Sequence, residues 1–244
     1  MRLDAFLAEK QLAPSRTRAA KLIEAGQVLV NGTVRTKASH DVTDADVVTV
    51  QGEGQRYVSR GGEKLEAALS QFGISVAGAV ALDIGASTGG FTDCLLQHGA
   101  SRVYAVDCGQ GQLDARLCED ARVVSMEKCN ARYLTPEQIG EVCTIATMDV
   151  SFISQTLLYP MLRQVLGNGA TLISLIKPQF EAGKSALNRH GVVSDPKRRQ
   201  AAVDAVCAQA KGYGLRLCGL MESPIIGGSG NVEYLACFTL EEQQ

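Results

Sequence analysis

Apolar positions recur at two different periods along the chain, and the change of period divides it. Near the start, Ala19, Leu22 and Ile23 fall at helical spacing within residues 16–25, with Ser15 placed as N-cap and Gly26 as the stop. Val28-Leu29-Val30, the turn pair Asn31-Gly32 and Thr33-Val34 then spell a β-hairpin. From Gly52 to Gly62 the stretch GEGQRYVSRGG loses apolar periodicity and carries four glycines, the pattern of a linker. Beyond it Leu65, Ala68, Leu69 and Phe72 mark one buried helix face that Gly73 ends. Strand-like runs follow at 79–84, 102–106, 122–125, 144–150, 170–176, 215–221 and 234–240, and helical segments at 90–97, 154–166 and 196–211 separate most of them. Such alternation predicts an α/β domain with a mainly parallel sheet covered on both faces. Only a loop separates the last two runs, so they are expected to form an antiparallel hairpin at a sheet edge.

Composition sharpens the division. The 244 residues are 45% hydrophobic and 20% charged, enough for a real core in one or two domains. The net charge of −2 would argue against a phosphate-binding protein, yet residues 1–64 hold ten Lys and Arg against eight Asp and Glu, while the remainder is net −4. A small basic head on an acidic body fits two domains. The eight cysteines never fall two or three apart, so metal-ribbon and thioredoxin spacings are missing and no metal site is expected. No apolar run approaches the roughly 18 residues a bilayer span needs. The expected setting is cytoplasmic, with reduced thiols and no membrane contact.

The first strand of the larger domain runs into Asp83-Ile84-Gly85-Ala86-Ser87-Thr88-Gly89-Gly90-Phe91, glycines where a strand turns into a helix. Such a turn lets backbone approach a ligand and exposes helix N–H groups to an anion. The spacing fails G-x-G-x-x-G at its second glycine, which disfavours a dinucleotide. Asp107, ending the next strand, suits a ribose hydroxyl pair. S-adenosylmethionine answers both features, its carboxylate at the helix start and its ribose on Asp107, with Asp83 available for the ammonium. In an open α/β sheet ligands bind beyond the carboxyl ends of the strands. Asp149 and Lys177 close two strands there, and Pro178 keeps Lys177 extended. Lys64 begins the domain's first helix, and Glu233 follows the flexible run Gly227-Gly228-Ser229-Gly230-Asn231.

These segments, in order, resemble one family over almost the whole chain. VSRGGEKL, LDIGASTGGFTD, MDVSFIS, LIKPQFEAGK and SGNVEY, preceded by the head from Ser15-Arg16 to Asn31-Gly32, are similar to the TlyA family of ribosomal RNA 2′-O-methyltransferases, also described as haemolysins. The resemblance implies an S-four-type RNA-binding domain over 1–55, a linker over 56–62, and an FtsJ-like domain over 63–244 with a Rossmann-like, mainly parallel seven-stranded sheet. It implies S-adenosylmethionine-dependent 2′-O-methylation of a cytidine in ribosomal RNA. The short start Met1-Arg2-Leu3-Asp4 resembles members acting on the large-subunit RNA. It also implies a catalytic tetrad of Lys64, Asp149, Lys177 and Glu233. A lysine takes the ribose hydroxyl proton only when neutral, against a free value of about 10.4, so burial and a second cation favour the task. Lys177 is assigned as base, Lys64 as the group positioning the hydroxyl, and the carboxylates as orienting partners.

The cofactor set expected is Asp83, Gly85, Ser87, Gly89, Gly90, Phe91, Asp107 and Asp149. The head module of this family presents a basic helical face to folded RNA, which points to Arg16 and Arg18 first, then Lys21 and Lys37, with Arg2 and Arg60 nearby. The residues weigh against rival chemistries. Base-amine transfer commonly shows [DN]-P-P-[YFW], where this chain has Asp149-Val150-Ser151-Phe152, and cytosine-C5 transfer typically needs Pro-Cys, which is missing. His40, His98 and His190 stand in no metal spacing, and Phe91, Phe152 and Phe180 are read mainly as packing residues that could border a cofactor or base. The partners expected are ribosomal RNA or a ribosomal subunit, with the chain a monomer or weak dimer. The two competing readings are a membrane-active haemolysin and a noncatalytic assembly factor that uses the head alone.

Overall fold

The computed structural model describes residues 1–50 and 56–242, and the chain divides into two compact units, Met1–Arg56 and Tyr57–Gln244. In the first unit, helix α1 (Leu3–Glu9) and helix α2 (Arg16–Glu24) pair beside a three-stranded antiparallel sheet. The sheet has order β2-β1-β3, from β1 (Val28–Val30), β2 (Thr33–Arg35) and β3 (Val48–Val50). Ser15 Oγ accepts from the Arg18 N–H, a true N-cap. Val30 pairs with Thr33 across Asn31-Gly32, both residues at positive φ as a tight hairpin turn requires. Helix α1 and strand β3 lie outside the elements predicted above. The signal for α1 was present in Leu3, Phe6 and Leu7 at i, i+3, i+4, all buried with Ala19 and Ile23 in one core.

The second unit is a seven-stranded sheet of order β6-β5-β4-β7-β8-β10-β9. Its strands are β4 (Val80–Ile84), β5 (Arg102–Val106), β6 (Val123–Met126), β7 (Cys143–Met148), β8 (Leu166–Ile176), β9 (Leu215–Glu222) and β10 (Tyr234–Leu240). β4 to β8 are parallel, and β10 runs antiparallel to both β8 and β9, so the expected edge hairpin is present. The longer helices are α3 (Gly61–Phe72), α4 (Gly90–Gln97), α7 (Tyr159–Val165) and α9 (Pro196–Gly212), with short α5 (Ala115–Cys118), α6 (Pro136–Ile139) and α8 (Pro178–Glu181) between them. β8 begins earlier than the sequence pattern indicates, because its pairing with β7 jumps from Cys143↔Leu166 to Ile145↔Thr171 and leaves the intervening residues of β8 as an irregularity.

Side chains alternate across the sheet into two cores. Leu82, Ile84, Met148, Leu172 and Phe238 face one, whereas Ala81, Val103, Ile145, Ile173 and Leu235 face the other beneath α3 and α4. Residues 56–62, expected as linker, do not behave as one throughout: Tyr57 is 1% exposed in the second core and α3 starts at Gly61. A Cβ on Gly62 would sit 2.2 Å from the Tyr57 ring, so this glycine admits the aromatic against the helix start. The rest of the expected linker, residues 52–55, lies outside the described residues. Among the described residues no helix is long and apolar enough to cross a membrane.

Candidate active site

The sheet order reverses direction between β4 and β7, and at such a point the loops beyond the strand ends part to leave a crevice. Gly85, one residue past β4, is at φ +83, and a Cβ there would lie 2.5 Å from the Asp149 carbonyl oxygen. The glycine therefore lets the two strand tips of the crevice close on each other. Two adjoining cavities open over this point. One, of about 500 Å³, is lined by Ile84, Val106, Asp107, Ala131, Val150 and Leu158, with Gln112, Asn130 and Arg132 at its polar side. The other, of about 290 Å³, is lined by backbone and side chains of Ser59 to Gly61, Lys64, Gly85 to Thr88, Gly90, Phe91, Asp149, Ser151 and Lys177. Gly85, Ser87, Asp149 and Ser151 line both.

An apolar slot ending on a carboxylate, joined to a polar cavity at a helix start, fits an adenosine carrying an amino-acid arm. Asp107 accepts from the Ser87 N–H (2.8 Å) and the Gly109 N–H (2.7 Å), and a carboxylate with roughly four lone-pair sites keeps capacity for ribose hydroxyls. The loop after it is held by Glu127, which accepts from the backbone N–H groups of Gly111 (2.8 Å) and Gln112 (3.0 Å), and these bonds hold the Glu127 carboxyl below its usual range.

Two expected cofactor residues have other places. Asp83 is fully buried and lines neither cavity. Strand alternation turns it to the Ala81 face, opposite Thr147 in the β4–β7 register. Its carboxylate accepts from Thr92 Oγ1 (2.6 Å) and Thr147 Oγ1 (2.9 Å). It therefore fastens β4, β7 and the first turn of α4 from below. Burial pushes its carboxyl up to about 6 against the opposing hydroxyl bonds, with a smaller push from nearby Asp149. Gly89 also lines neither cavity. At φ +95, it leaves room for Leu117, whose Cδ1 would be 2.2 Å from a Cβ.

Four charged side chains meet at the crevice as two ion pairs. Lys64 Nζ donates to Glu233 Oε2 at 2.6 Å, the side chains 11% and 3% exposed. Lys177 Nζ lies 2.5 Å from Asp149 Oδ1, at an angle outside the hydrogen-bond range, and donates to Ser151 Oγ at 2.8 Å. Topology explains both pairs. α3 packs against β10, which Glu233 directly precedes, and Asp149 and Lys177 end the adjacent strands β7 and β8. A third cavity, of about 420 Å³, continues from Lys177 and Ser151 to Glu233, walled by Phe152, Phe180, Gln179 and His190. Phe152 is 87% exposed with its ring 5.1 Å from that of Phe180, so neither reads as simple packing. Sequence reasoning did not single out Ser151 or Gln179, whose Nε2 donates to Glu233 Oε1 at 3.3 Å. Ser151 stood within reach, two residues after Asp149, whereas Asn130 and Arg132 carry no periodic signal. Arg60 is exposed and lines the cavity beside Lys64.

In the first unit Arg16, Lys21 and Lys37 are exposed, and Arg18 is half-buried. Arg2 and Arg16 both donate to the buried Asp4, at 3.0 and 3.1 Å, and the Arg2 bond is the main cause that holds the Asp4 carboxyl at about 2. The basic face thus contains a carboxylate that gathers its arginines.

Comparison with known proteins agrees with both units. The S4 domain family matches residues 1–48, and the FtsJ-like methyltransferase family matches residues 57–240. A protein of Mycobacterium tuberculosis named 16S/23S rRNA (cytidine-2′-O)-methyltransferase TlyA is 46% identical, covering 96% of this chain and 87% of its own length. Hemolysin A of Brachyspira hyodysenteriae is 43% identical, covering 98% and 100%. A solved structure from Streptococcus thermophilus, described as a candidate hemolysin, superposes with a TM-score of 0.79 at 41% identity, covering 100% of this chain and 89% of that one. Two matched domains in this order, and relatives that align along nearly the full length, place the chain in the FtsJ-like methyltransferase family, among its TlyA members that carry an S4 domain ahead of the Rossmann-like fold.

Proposed function

We propose that the protein transfers a methyl group from S-adenosylmethionine to the 2′-hydroxyl of a cytidine in ribosomal RNA. The observation that carries this reading is the meeting of Lys64–Glu233 and Lys177–Asp149 where the two cofactor-shaped cavities join the aromatic-walled third. The printed function of the M. tuberculosis relative supports the choice of RNA and of cytidine. Asp107 would hold the ribose of the cofactor, the apolar slot its adenine, and the backbone from Gly85 to Gly90 its amino-acid arm. Bound there, S-adenosylmethionine supplies an electrophilic methyl group.

The chain's own residues do the rest. Lys177 removes the proton of the acceptor hydroxyl, and Asp149 orients it. Lys64 positions the hydroxyl with its charge offset by Glu233. Holding oxygen and methyl in line is worth several kcal/mol without any further chemistry. The exposed Arg16, Lys21 and Lys37 of the head, with the half-buried Arg18, take RNA phosphates, which fix register without reading sequence. Methyl label from the cofactor is expected on ribosomal RNA as 2′-O-methylcytidine, and Lys177→Ala is expected to lower the rate at least about a hundredfold, as loss of a general base does. Undiminished labelling by that variant would remove Lys177 from its role. Liposome leakage at equal protein concentration, unaffected by the same variant, would favour the haemolysin reading.

A further inference from the structure

We infer that Ser151 is a positioning residue for Lys177, the group that aims the lysine at the acceptor hydroxyl; this rests on the function proposed above. Among the described residues Ser151 alone lines all three cavities, so it stands where the cofactor side and the aromatic-walled side meet. Its Oγ accepts the hydrogen bond of Lys177 Nζ at 2.8 Å, while Asp149 touches the same nitrogen in poor hydrogen-bond geometry. Asp149 thus supplies charge and Ser151 supplies direction. An ammonium or amine on a flexible four-carbon stem has little orientation of its own, and two fixed partners leave its third tetrahedral direction for a substrate.

The turn that carries Ser151 is built to stay in place. Phe152, the next residue, is at φ +67, a left-handed conformation that costs an aromatic residue about 1–3 kcal/mol and persists only where the surroundings enforce it. Glu181 anchors the chain just after this turn, accepting from Ser154 Oγ at 2.6 Å and from the Gln155 N–H at 2.9 Å. Glu181 ends α8, which starts at Pro178 immediately after Lys177. The carboxylate therefore ties the Ser151 turn to the segment that bears the lysine, and the two strand tips move as one piece.

The test compares Ser151→Ala and Ser151→Thr with the full-length wild type, using ribosomal subunits as methyl acceptor. Ser151→Ala is expected to lower kcat about ten- to a hundredfold while KM for RNA, the calorimetric affinity for S-adenosylmethionine and the melting temperature stay unchanged. Ser151→Thr, which keeps the hydroxyl, is expected to recover most of the rate. In ¹⁵N spectra of the lysine side chains, the Lys177 Nζ protons are expected to exchange slowly in the wild type and fast in Ser151→Ala. A Ser151→Ala variant with wild-type kcat, or an unchanged Lys177 Nζ signal, overturns the inference. Absence of 2′-O-methylation by the wild type, with the Nζ signal still dependent on Ser151, overturns the proposed function and leaves the contact standing.

Discussion

The two units hold their charges under opposite conditions. In the first, Asp4 gathers Arg2 and Arg16, whose side chains remain 52% and 60% exposed. In the second, Lys64 and Glu233 meet with 11% and 3% exposed. An exposed guanidinium in water loses little when it leaves a carboxylate for a phosphate, so in the proposed RNA complex Arg16 can turn away while Arg2 still satisfies the buried Asp4. A buried ammonium has no such alternative. Removing its partner strands a charge in a low-dielectric site, so the pair is fixed geometry. The same two kinds of side chain serve as a grip in one unit and as a frame in the other, and solvent exposure makes the difference.

The comparison breaks most visibly at Glu233. Glu233→Ala should destabilise the second unit by about 3–5 kcal/mol in urea unfolding, the usual cost of orphaning a buried partner, and Lys64→Met in the same background should restore most of it. A loss under about 1 kcal/mol would place this pair with the surface ones. Next in size is Asp83. Its folded carboxyl titrates near 6 and an unfolded one near 3.8, so between about pH 4 and 6 the folded state keeps a proton that the unfolded state has lost. Stability must therefore fall as pH rises through that window, by about 3 kcal/mol from the shift, and level off above it. Asp83→Asn should abolish the slope in unfolding midpoints taken from pH 4 to 8. The smallest effect on folding belongs to the head. Arg16→Ala should change stability by less than about 1 kcal/mol, yet reduce the dependence of RNA affinity on salt by about one counterion, read from binding titrations between 50 and 200 mM salt. An unchanged salt slope would show that Arg16 serves Asp4 rather than RNA.

Short-range order was legible in the residues themselves. Ser15 as cap, Asn31-Gly32 as turn, Gly73 as helix stop at φ +66 and the β9–β10 hairpin all follow from local sterics and hydrogen bonding, which neighbours in sequence decide. The strand-end residues Asp107, Asp149 and Lys177 were legible for a related reason, since βαβ alternation sends every parallel strand's carboxyl end to one side of the sheet. The motifs quoted from Lys64 to Glu233 carried the family with them.

Only the tertiary structure decided which of those residues face a cavity and which partner each one has. Asp83 and Gly89 sit in the same motif as Gly85 and Ser87, yet strand alternation buries Asp83 between Thr92 and Thr147, and Leu117 fills the space at Gly89. Lys64 and Glu233 are 169 positions apart and meet because α3 packs on β10. Local sequence sets backbone conformation through short-range sterics, but burial and electrostatic pairing are sums over neighbours brought in from elsewhere in the chain. The sequence therefore determined that an aspartate and a lysine close two strands, and the packed fold determined that those strands are neighbours and that Ser151 bonds the lysine.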